Sequence, residues 1–131
     1  MLNFFRKQII AITFELKFTV MEQRALPIGL FNGTVATTNG LYRISDISFD
    51  SASELVRQHG FVSAVGHDAA AELMSVRLGV PVPMNRIQFK QQVGQLAIAL
   101  KLNQRPNEGV ILTREQMESI GYTFKLVERI E

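Results

Sequence analysis

The chain has 131 residues, of which 47% are hydrophobic and 20% are charged, and its formal net charge is +2 at pH 7. This length fits one domain with a sizeable core, and the composition excludes a disordered chain. The absence of cysteine excludes disulfides and thiolate chemistry, and two histidines are too few for a three-histidine zinc site within one chain. The weak positive charge argues against an extensive binding surface for duplex nucleic acid but allows a local anion-binding site.

Two interpretations of the N-terminal residues 1–20 stay open. The stretch MLNFFRKQIIAITFELKFTVMEQR is apolar but broken by charges, so it predicts neither a membrane span nor a signal peptide. It is either an extension, produced by a start codon assigned too early, or an additional strand, because FELKFTV alternates. We expect residues 1–25 to be an N-terminal extension, and residues 26–131 to form one domain of a cytoplasmic protein.

The first half of the domain begins with a short buried strand, LPIGLF (26–31), and an Asn-Gly turn signal follows at 39–40. The stretch ISFDSASELVRQHG predicts a helix that Asp50 or Ser51 caps and that Gly60 closes. A cationic side chain suits the last turn of a helix, so we assign His59 a structural role.

A second strand and helix follow directly. The stretch FVSAV (61–65) predicts a short strand, and HDAAAELMSVRLG predicts a helix that ends at Gly79. Four residues of this helix fall on one face at helical spacing and are expected in the core: Ala70, Leu73, Met74 and Leu78.

The second half contains two alternating stretches, NRIQFKQ (85–91) and QLAIALKL (95–102), which predict a hairpin turned at Gly94. A polar loop follows at 103–109. The stretch LTREQMESIG predicts a short helix with Thr113 and Gln116 in a capping box, and YTFKLVERI predicts a final strand. The order β-α-β-α-β-β-α-β predicts an α/β (α+β) fold, with a small mixed sheet flanked by helices.

The usual enzyme motifs are absent from the sequence: it has no glycine-rich phosphate loop, no HExxH and no GxSxG. What remains is a set of polar residues at predicted element ends, where α/β scaffolds place their sites. The set consists of Asn32, His67, Asn85, Arg86, Gln104, Arg105 and Glu108. Arginines are suited to bidentate phosphate contacts.

His67 stands at the start of the central predicted helix, where free N–H groups favour an anion. The helix N-terminus disfavours the protonated imidazole, while a bound phosphate or a carboxylate such as Glu108 favours it, which suits a general acid. Simpler interpretations stay open. His67 could be a cap or a solvated side chain, Asp68 an N-cap, Asn32 a turn former, Glu108 a loop charge, and the two arginines solvated or ion-paired.

The stretch AVGHDAAAELMSVRLGVPVPMNRIQFKQQVGQLAIALKLNQRPNEGVILTREQMESIGYTFKLVERIE resembles the viral ring-nuclease family. These are anti-CRISPR proteins of type III systems, long known as a domain of unknown function in archaeal viruses and phages. The resemblance runs from about Leu30 to the C-terminus. It rests on three motifs together: GHD, NR opening a strand, and QRxxEG after an apolar strand.

The resemblance implies a cytoplasmic homodimer that binds cyclic tetra-adenylate, the second messenger of type III CRISPR antiviral defence, without metal or other cofactor. It implies cleavage to linear di-adenylates, in which the ribose 2′-hydroxyl attacks the adjacent phosphorus and leaves a 2′,3′-cyclic phosphate. It implies neither a membrane nor a duplex nucleic-acid partner. The family also occurs in cellular CRISPR loci, so a viral and a cellular origin both stay open.

The resemblance also implies a role for each site residue. His67 matches the general acid on the 5′-oxygen leaving group, Arg105 the phosphate-binding arginine and Glu108 its acidic partner. The expected ligand-binding residues are Asn32, Thr34, Thr38, Gly66, Arg86 and Arg105. Two other functions stay open: a module that sequesters a cyclic nucleotide without cleaving it, and a small protein-binding domain.

Overall fold

The computed structural model describes residues 26–33, 36 and 38–131, which form a five-stranded mixed sheet and three helices. The strands are β1 (Ile28–Asn32), β2 (Tyr42–Ile47), β3 (Phe61–Ser63), β4 (Leu96–Leu102) and β5 (Tyr122–Arg129). The helices are α1 (Phe49–His59), α2 (Asp68–Leu78) and α3 (Arg114–Ile120). The α+β fold with a mixed sheet is therefore confirmed. The expectations for residues 1–25 lie outside the described residues.

The sheet has the strand order β2-β5-β4-β1-β3. Strand β1 lies between β3 and β4 and is parallel to both, while β5 is antiparallel to β4 and to β2. Because β1, β3 and β4 are parallel, their carboxyl ends meet at one edge of the sheet, where ligands bind in open α/β sheets. The N-terminus of α2 lies at this same edge, because α2 begins shortly after β3 ends.

The main core lies between one face of the sheet and the three helices. The alternating residues of β4 and β5 point to this side, and the four predicted α2 residues are all buried there. The helix ends follow local signals: Gly60 and Gly79 close α1 and α2 with positive φ, and Thr113 and Gln116 form the predicted capping box of α3. No helix in the described part of the chain is long and apolar enough to cross a membrane.

The predicted hairpin between NRIQFKQ and QLAIALKL is wrong. Both edges of β4 are hydrogen-bonded, one to β1 and one to β5, so no position beside β4 is left for residues 85–91. That stretch instead crosses the second face of the sheet, where Phe89 packs near Phe31 over the small residues of β4. A Cβ at Gly29 would overlap the Phe89 ring, so glycine is what admits this ring.

Two further expectations change in the structure. Strand β2 was not predicted, because most of its residues are exposed and its sequence YRISDI carries only a weak alternation. The N-cap of α1 is Ser48, whose hydroxyl accepts the Ser51 N–H at 3.1 Å, so neither Asp50 nor Ser51 caps this helix. Asp50 lies within the first turn, where its charge still suits the helix dipole.

Candidate functional site

The junction between β3 and α2 is held by hydrogen bonds on both sides of Gly66. The side-chain Oδ1 of Asn32, at the end of β1, accepts the Gly66 N–H at 3.0 Å. On the other side, Nε of Arg86 donates to the Gly66 carbonyl at 3.2 Å. These two bonds fix the peptide units directly before His67, so the entry of the chain into α2 is set by two residues distant in sequence.

The stretch after Pro83 braces the same junction. The Asn85 backbone N–H donates to the Val65 carbonyl at 2.8 Å, and the Asn85 side chain donates to the Ser63 carbonyl at 2.9 Å. The Ser63 hydroxyl in turn donates to the Pro83 carbonyl at 2.6 Å. The result is a rigid support beneath His67, which is what a positioned catalytic or binding group needs.

His67 is the N-cap residue of α2, with extended backbone angles of φ −143° and ψ 128°. Its carbonyl accepts the Ala71 N–H at 3.0 Å, but its imidazole makes no capping hydrogen bond. The imidazole Nδ1 is buried and has no hydrogen-bond partner among the described residues. Asp68 is the first residue of the helix and not its cap, so the interpretation of Asp68 as an N-cap is wrong, and the His67 side chain does not act as a cap either.

Two cavities flank His67. The first has a volume of about 620 Å³ and opens at the carboxyl ends of β1 and β4. It brings together Asn32, His67 and Arg105, three of the residues that the sequence singled out. Apolar side chains from β4, α3 and the loop before α3 form much of the remaining wall, namely Leu100, Leu102, Pro106, Val110, Leu112 and Met117.

The second cavity has a volume of about 410 Å³ and lies on the other side of His67. Arg86 lines it together with Arg114, and three carboxylates, those of Asp68, Glu72 and Glu115, line it as well. His67 and Leu112 belong to the walls of both cavities. His67 therefore borders both the first cavity, which Arg105 lines, and the second cavity, which Arg86 lines.

The remaining predicted residues are placed differently. Glu108 is exposed in the loop before α3 and lines neither cavity. Thr38 lies at hydrogen-bond distance, 2.6 Å, from the Tyr42 hydroxyl and lines neither cavity. Thr34 lies outside the described residues, and Gly66 takes part through its backbone. The geometry thus groups His67 with Asn32, Arg86 and Arg105, and leaves Glu108 and Thr38 apart.

Gln104, singled out together with Arg105, also lines the first cavity, whereas two polar residues of this cavity were missed from the sequence: Lys101 and Asn103. They follow the apolar part of β4, at the same end of the sheet as Asn32. The available signal was their position at the end of a buried strand, but only the strand order shows that this end adjoins β1. Within the described part of the chain, no group of three or more His, Asp or Glu side chains is arranged to hold a metal ion.

The fold is similar to that of a solved structure, B116 of Sulfolobus turreted icosahedral virus (STIV). The TM-score is 0.58 and the identity 21%, over 79% of this chain and 99% of that chain. A likeness at this identity shows the shared fold. A family model described as STIV B116-like matches residues 28–124, which include every element described above except the end of β5.

Related sequences come from viruses and from a bacterium. The chain is 37% identical over 93 residues to the uncharacterized protein ORF117 of Acidianus two-tailed virus, covering 69% of this chain and 80% of that protein. It is 39% identical over 84 residues to the uncharacterized protein 26 of Sulfolobus islandicus filamentous virus, covering 63% and 71% respectively. It is 29% identical over 108 residues to the uncharacterized protein YddF of Bacillus subtilis, covering 81% of this chain and all of that protein.

Proposed function

The chain belongs to the STIV B116-like family, and on that premise, together with the geometry around His67, we propose that it is a metal-independent ring nuclease. Its substrate is cyclic tetra-adenylate, and its products are linear di-adenylates with 2′,3′-cyclic phosphate ends. In the cell this activity removes the messenger of type III CRISPR defence. Two of the relatives are viral proteins, and in a virus this activity would act against that defence.

The observation that carries the proposal is the state of the His67 imidazole. It occupies an N-cap position without capping, its buried Nδ1 has no partner among the described residues, and it faces a cavity that also contains Asn32 and Arg105. A buried polar atom left unpaired costs free energy, so a ring that carries one and borders a cavity is a candidate ligand contact. The free N–H groups of α2 favour an anionic ligand at this position.

The chemistry requires one positioned acid and a phosphate clamp. The ribose 2′-oxygen forms a bond to the adjacent phosphorus as the bond from phosphorus to the 5′-oxygen breaks, and the 2′-proton passes to solvent. His67 donates its proton to the departing 5′-oxygen. Arg105 holds the phosphate oxygens and stabilises the charge that develops on them, while the braced Gly66 junction keeps the imidazole in line with the leaving group.

The active form in this proposal is a homodimer around one ring. A cyclic tetranucleotide has two-fold symmetry, and a two-fold dimer presents one His67 to each half of it. The exposed apolar side chains Met84 and Ile111, which are 41% and 78% exposed, line the second cavity beside His67. This patch joins the two protomers, because exposed apolar surface next to a site marks an interface.

The dimer is tested by sedimentation of the full chain. Ile111→Lys is expected to yield a monomer with little ring cleavage, while Val76→Lys serves as the matched control. Val76 is 56% exposed on α2 and lines neither cavity. A wild-type protein that sediments as a monomer both with and without cyclic tetra-adenylate contradicts the dimer.

The cleavage reaction is tested by incubating the full chain with cyclic tetra-adenylate and excess EDTA, with products identified by mass spectrometry. We expect linear di-adenylates with cyclic phosphate ends from the wild type. His67→Ala is expected to keep ring binding and lose at least about 10²-fold in single-turnover cleavage rate, the usual scale of a general acid. His59→Ala removes the other histidine, at the far end of α1, and is expected to cleave normally. Intact ring at stoichiometric wild-type enzyme overturns the proposal.

The alternative function is a module that binds the ring without cleaving it. The observation in its favour is the position of Glu108, the expected acidic partner, outside the walls of both cavities. On this alternative, wild type and His67→Ala bind cyclic tetra-adenylate equally, and neither produces linear products in an overnight incubation. The same two measurements therefore separate the two functions.

A further inference from the structure

The two side chains that hold Gly66 reach it from two different segments of the chain. Asn32, at the end of β1, accepts the Gly66 N–H at 3.0 Å, and Nε of Arg86 donates to the Gly66 carbonyl at 3.2 Å. Arg86 belongs to the crossing segment, residues 85–91, which contains no helix or strand. The geometry just before His67 therefore depends on the separation between β1 and a segment that no strand pairing holds in place.

The crossing segment is anchored at both ends and runs antiparallel to β1. At its start, the Asn85 N–H donates to the Val65 carbonyl, beyond the carboxyl end of β3. At its end, Nε2 of Gln91 donates to the Gln95 carbonyl at 2.7 Å, and the Gln95 side chain donates to the carbonyl of Pro27, directly before β1. The segment thus follows β1 backwards over the second face of the sheet.

The Phe89 ring sets the separation between the crossing segment and β1. It packs over Gly29, where a Cβ would overlap the ring, and its centre lies 6.1 Å from that of the Phe31 ring. Phe89 is only 9% exposed. A glycine inside a strand weakens the strand and often marks a close approach of another part of the chain. At position 29 that close approach is the ring of Phe89.

The ring contact and the two bonds to Gly66 lie at opposite ends of the same pair of segments. Along β1, Asn32 follows Gly29 by three positions, and along the crossing segment, Arg86 precedes Phe89 by three positions. A shift of the crossing segment at the ring is therefore transmitted to the guanidinium over a single short stretch of backbone.

From this arrangement we propose that Phe89, which lines neither cavity, is a positioning residue for the reaction at His67. Its ring on Gly29 holds the crossing segment at the distance from β1 at which both bonds to Gly66 form together. Loss of the ring lengthens one of these bonds and moves the imidazole out of line with the leaving group. The inference rests on the proposed function for its effect on rate, while its effect on Gly66 rests on the fold.

The first measurement follows the Gly66 amide by NMR hydrogen exchange in the full chain, without a ligand. Phe89→Leu is compared with Phe49→Leu, the same substitution in the aromatic cluster that joins α1 to β5, away from both cavities. Relative to the amides of β4, Phe89→Leu is expected to speed exchange at Gly66 about tenfold, the scale of weakening one hydrogen bond. Phe49→Leu is expected to change Gly66 and β4 by the same factor.

The second measurement is single-turnover cleavage of cyclic tetra-adenylate at saturating enzyme. Phe89→Leu is expected to cleave about tenfold more slowly than wild type, because a small displacement of a catalytic group has a large effect on rate. Its ring affinity, measured in a His67→Ala background, should stay close to that of His67→Ala alone. Phe49→Leu should cleave at nearly the wild-type rate. Asn32→Ala removes one of the two bonds, so Phe89→Leu added to it should slow cleavage by a smaller factor.

Equal relative exchange at Gly66 in Phe89→Leu and Phe49→Leu overturns this inference and leaves the proposed function standing. So does a Phe89→Leu protein that cleaves as fast as Phe49→Leu. If Phe89→Leu does not fold, Gly29→Ala displaces the ring without removing it and is measured in its place. A wild type that leaves the ring intact defeats the proposed function and the positioning role together, so wild-type cleavage distinguishes the two failures.

Discussion

The side-chain oxygen of Asn32 accepts the backbone N–H of Gly66 at 3.0 Å, which ties the end of β1 to the residue before His67. The bond joins two residues that lie 34 positions apart in sequence. Asn32 also lines the first cavity. Because Oδ1 is occupied by Gly66, the contribution of Asn32 to the site is first of all to position the histidine that follows.

Asn32→Ala is expected to destabilise the protein by about 1–2 kcal/mol, because it leaves the partly buried Gly66 N–H without an acceptor. It should also slow ring cleavage about 10-fold or more, since a small displacement of a catalytic group has large effects on rate. Asn32→Asp keeps the acceptor and is the matched control. It should unfold at nearly the wild-type denaturant concentration, yet bind the ring more weakly because it places a negative charge in the cavity. Equal stability of the alanine variant and wild type would contradict this role for the bond.

Substitution of His67 should separate stability from activity. The N-cap of α2 lacks a side-chain acceptor, so His67→Ser introduces one and is expected to raise the free energy of unfolding by about 0.5–1 kcal/mol while abolishing cleavage. Thr113→Ala is the reference, since it removes an existing capping box from α3 and should cost about 1 kcal/mol. Urea denaturation monitored by circular dichroism measures both. A His67→Ser variant less stable than wild type by more than about 1 kcal/mol would show that the imidazole contributes to packing instead.

Gly29→Ala is expected to destabilise the protein by about 1–3 kcal/mol, because the added methyl group occupies space now filled by the Phe89 ring. In a Phe89→Leu background the ring is gone, so Gly29→Ala should lower the free energy of unfolding by less than it does in the wild type. A double-mutant cycle by denaturant unfolding measures the coupling. Additive effects would mean that Phe89 does not depend on the glycine at this position.

Arg77 connects α2 to the start of β5 through an aromatic cluster. Its Nε donates to the Tyr122 hydroxyl at 2.7 Å, and its guanidinium lies 4.5 Å from the centre of the Phe49 ring. Arg77→Ala should cost about 1 kcal/mol, because it loses both contacts at an exposed position. Tyr122→Phe should cost less, about 0.5 kcal/mol, since its ring still packs against Phe49.

The control for this cluster is Arg57→Ala, which breaks an exposed ion pair with Glu54 within α1 and should change stability by less than about 0.5 kcal/mol. Thermal unfolding of the three variants ranks the contacts. If Arg77→Ala and Arg57→Ala have the same unfolding temperature, the contacts of Arg77 with the aromatic cluster add nothing to stability.

Part of the site could be predicted, because local sequence signals mark the ends of strands and helices. Asn32, His67, Arg86 and Arg105 were singled out because each adjoins an element boundary, and the structure places all four around the two cavities. Glu108 was singled out on the same ground and Thr38 from the resemblance, and both lie outside the two cavities. Lys101 and Asn103 were missed because only the strand order shows that this end of β4 adjoins the end of β1.

The amino-acid sequence by itself determined the elements whose signals are local. Alternation specified β4 and β5, helical spacing specified the buried face of α2, and the Thr113–Gln116 pair specified the start of α3. Tertiary structure decided what depends on distant partners. Strand β4 could pair with only two neighbours, so residues 85–91 were displaced onto the second face of the sheet. The parallel order of β3, β1 and β4 then brought Asn32, His67 and Arg105 to one edge, because parallel strands end together however far apart they lie in the chain.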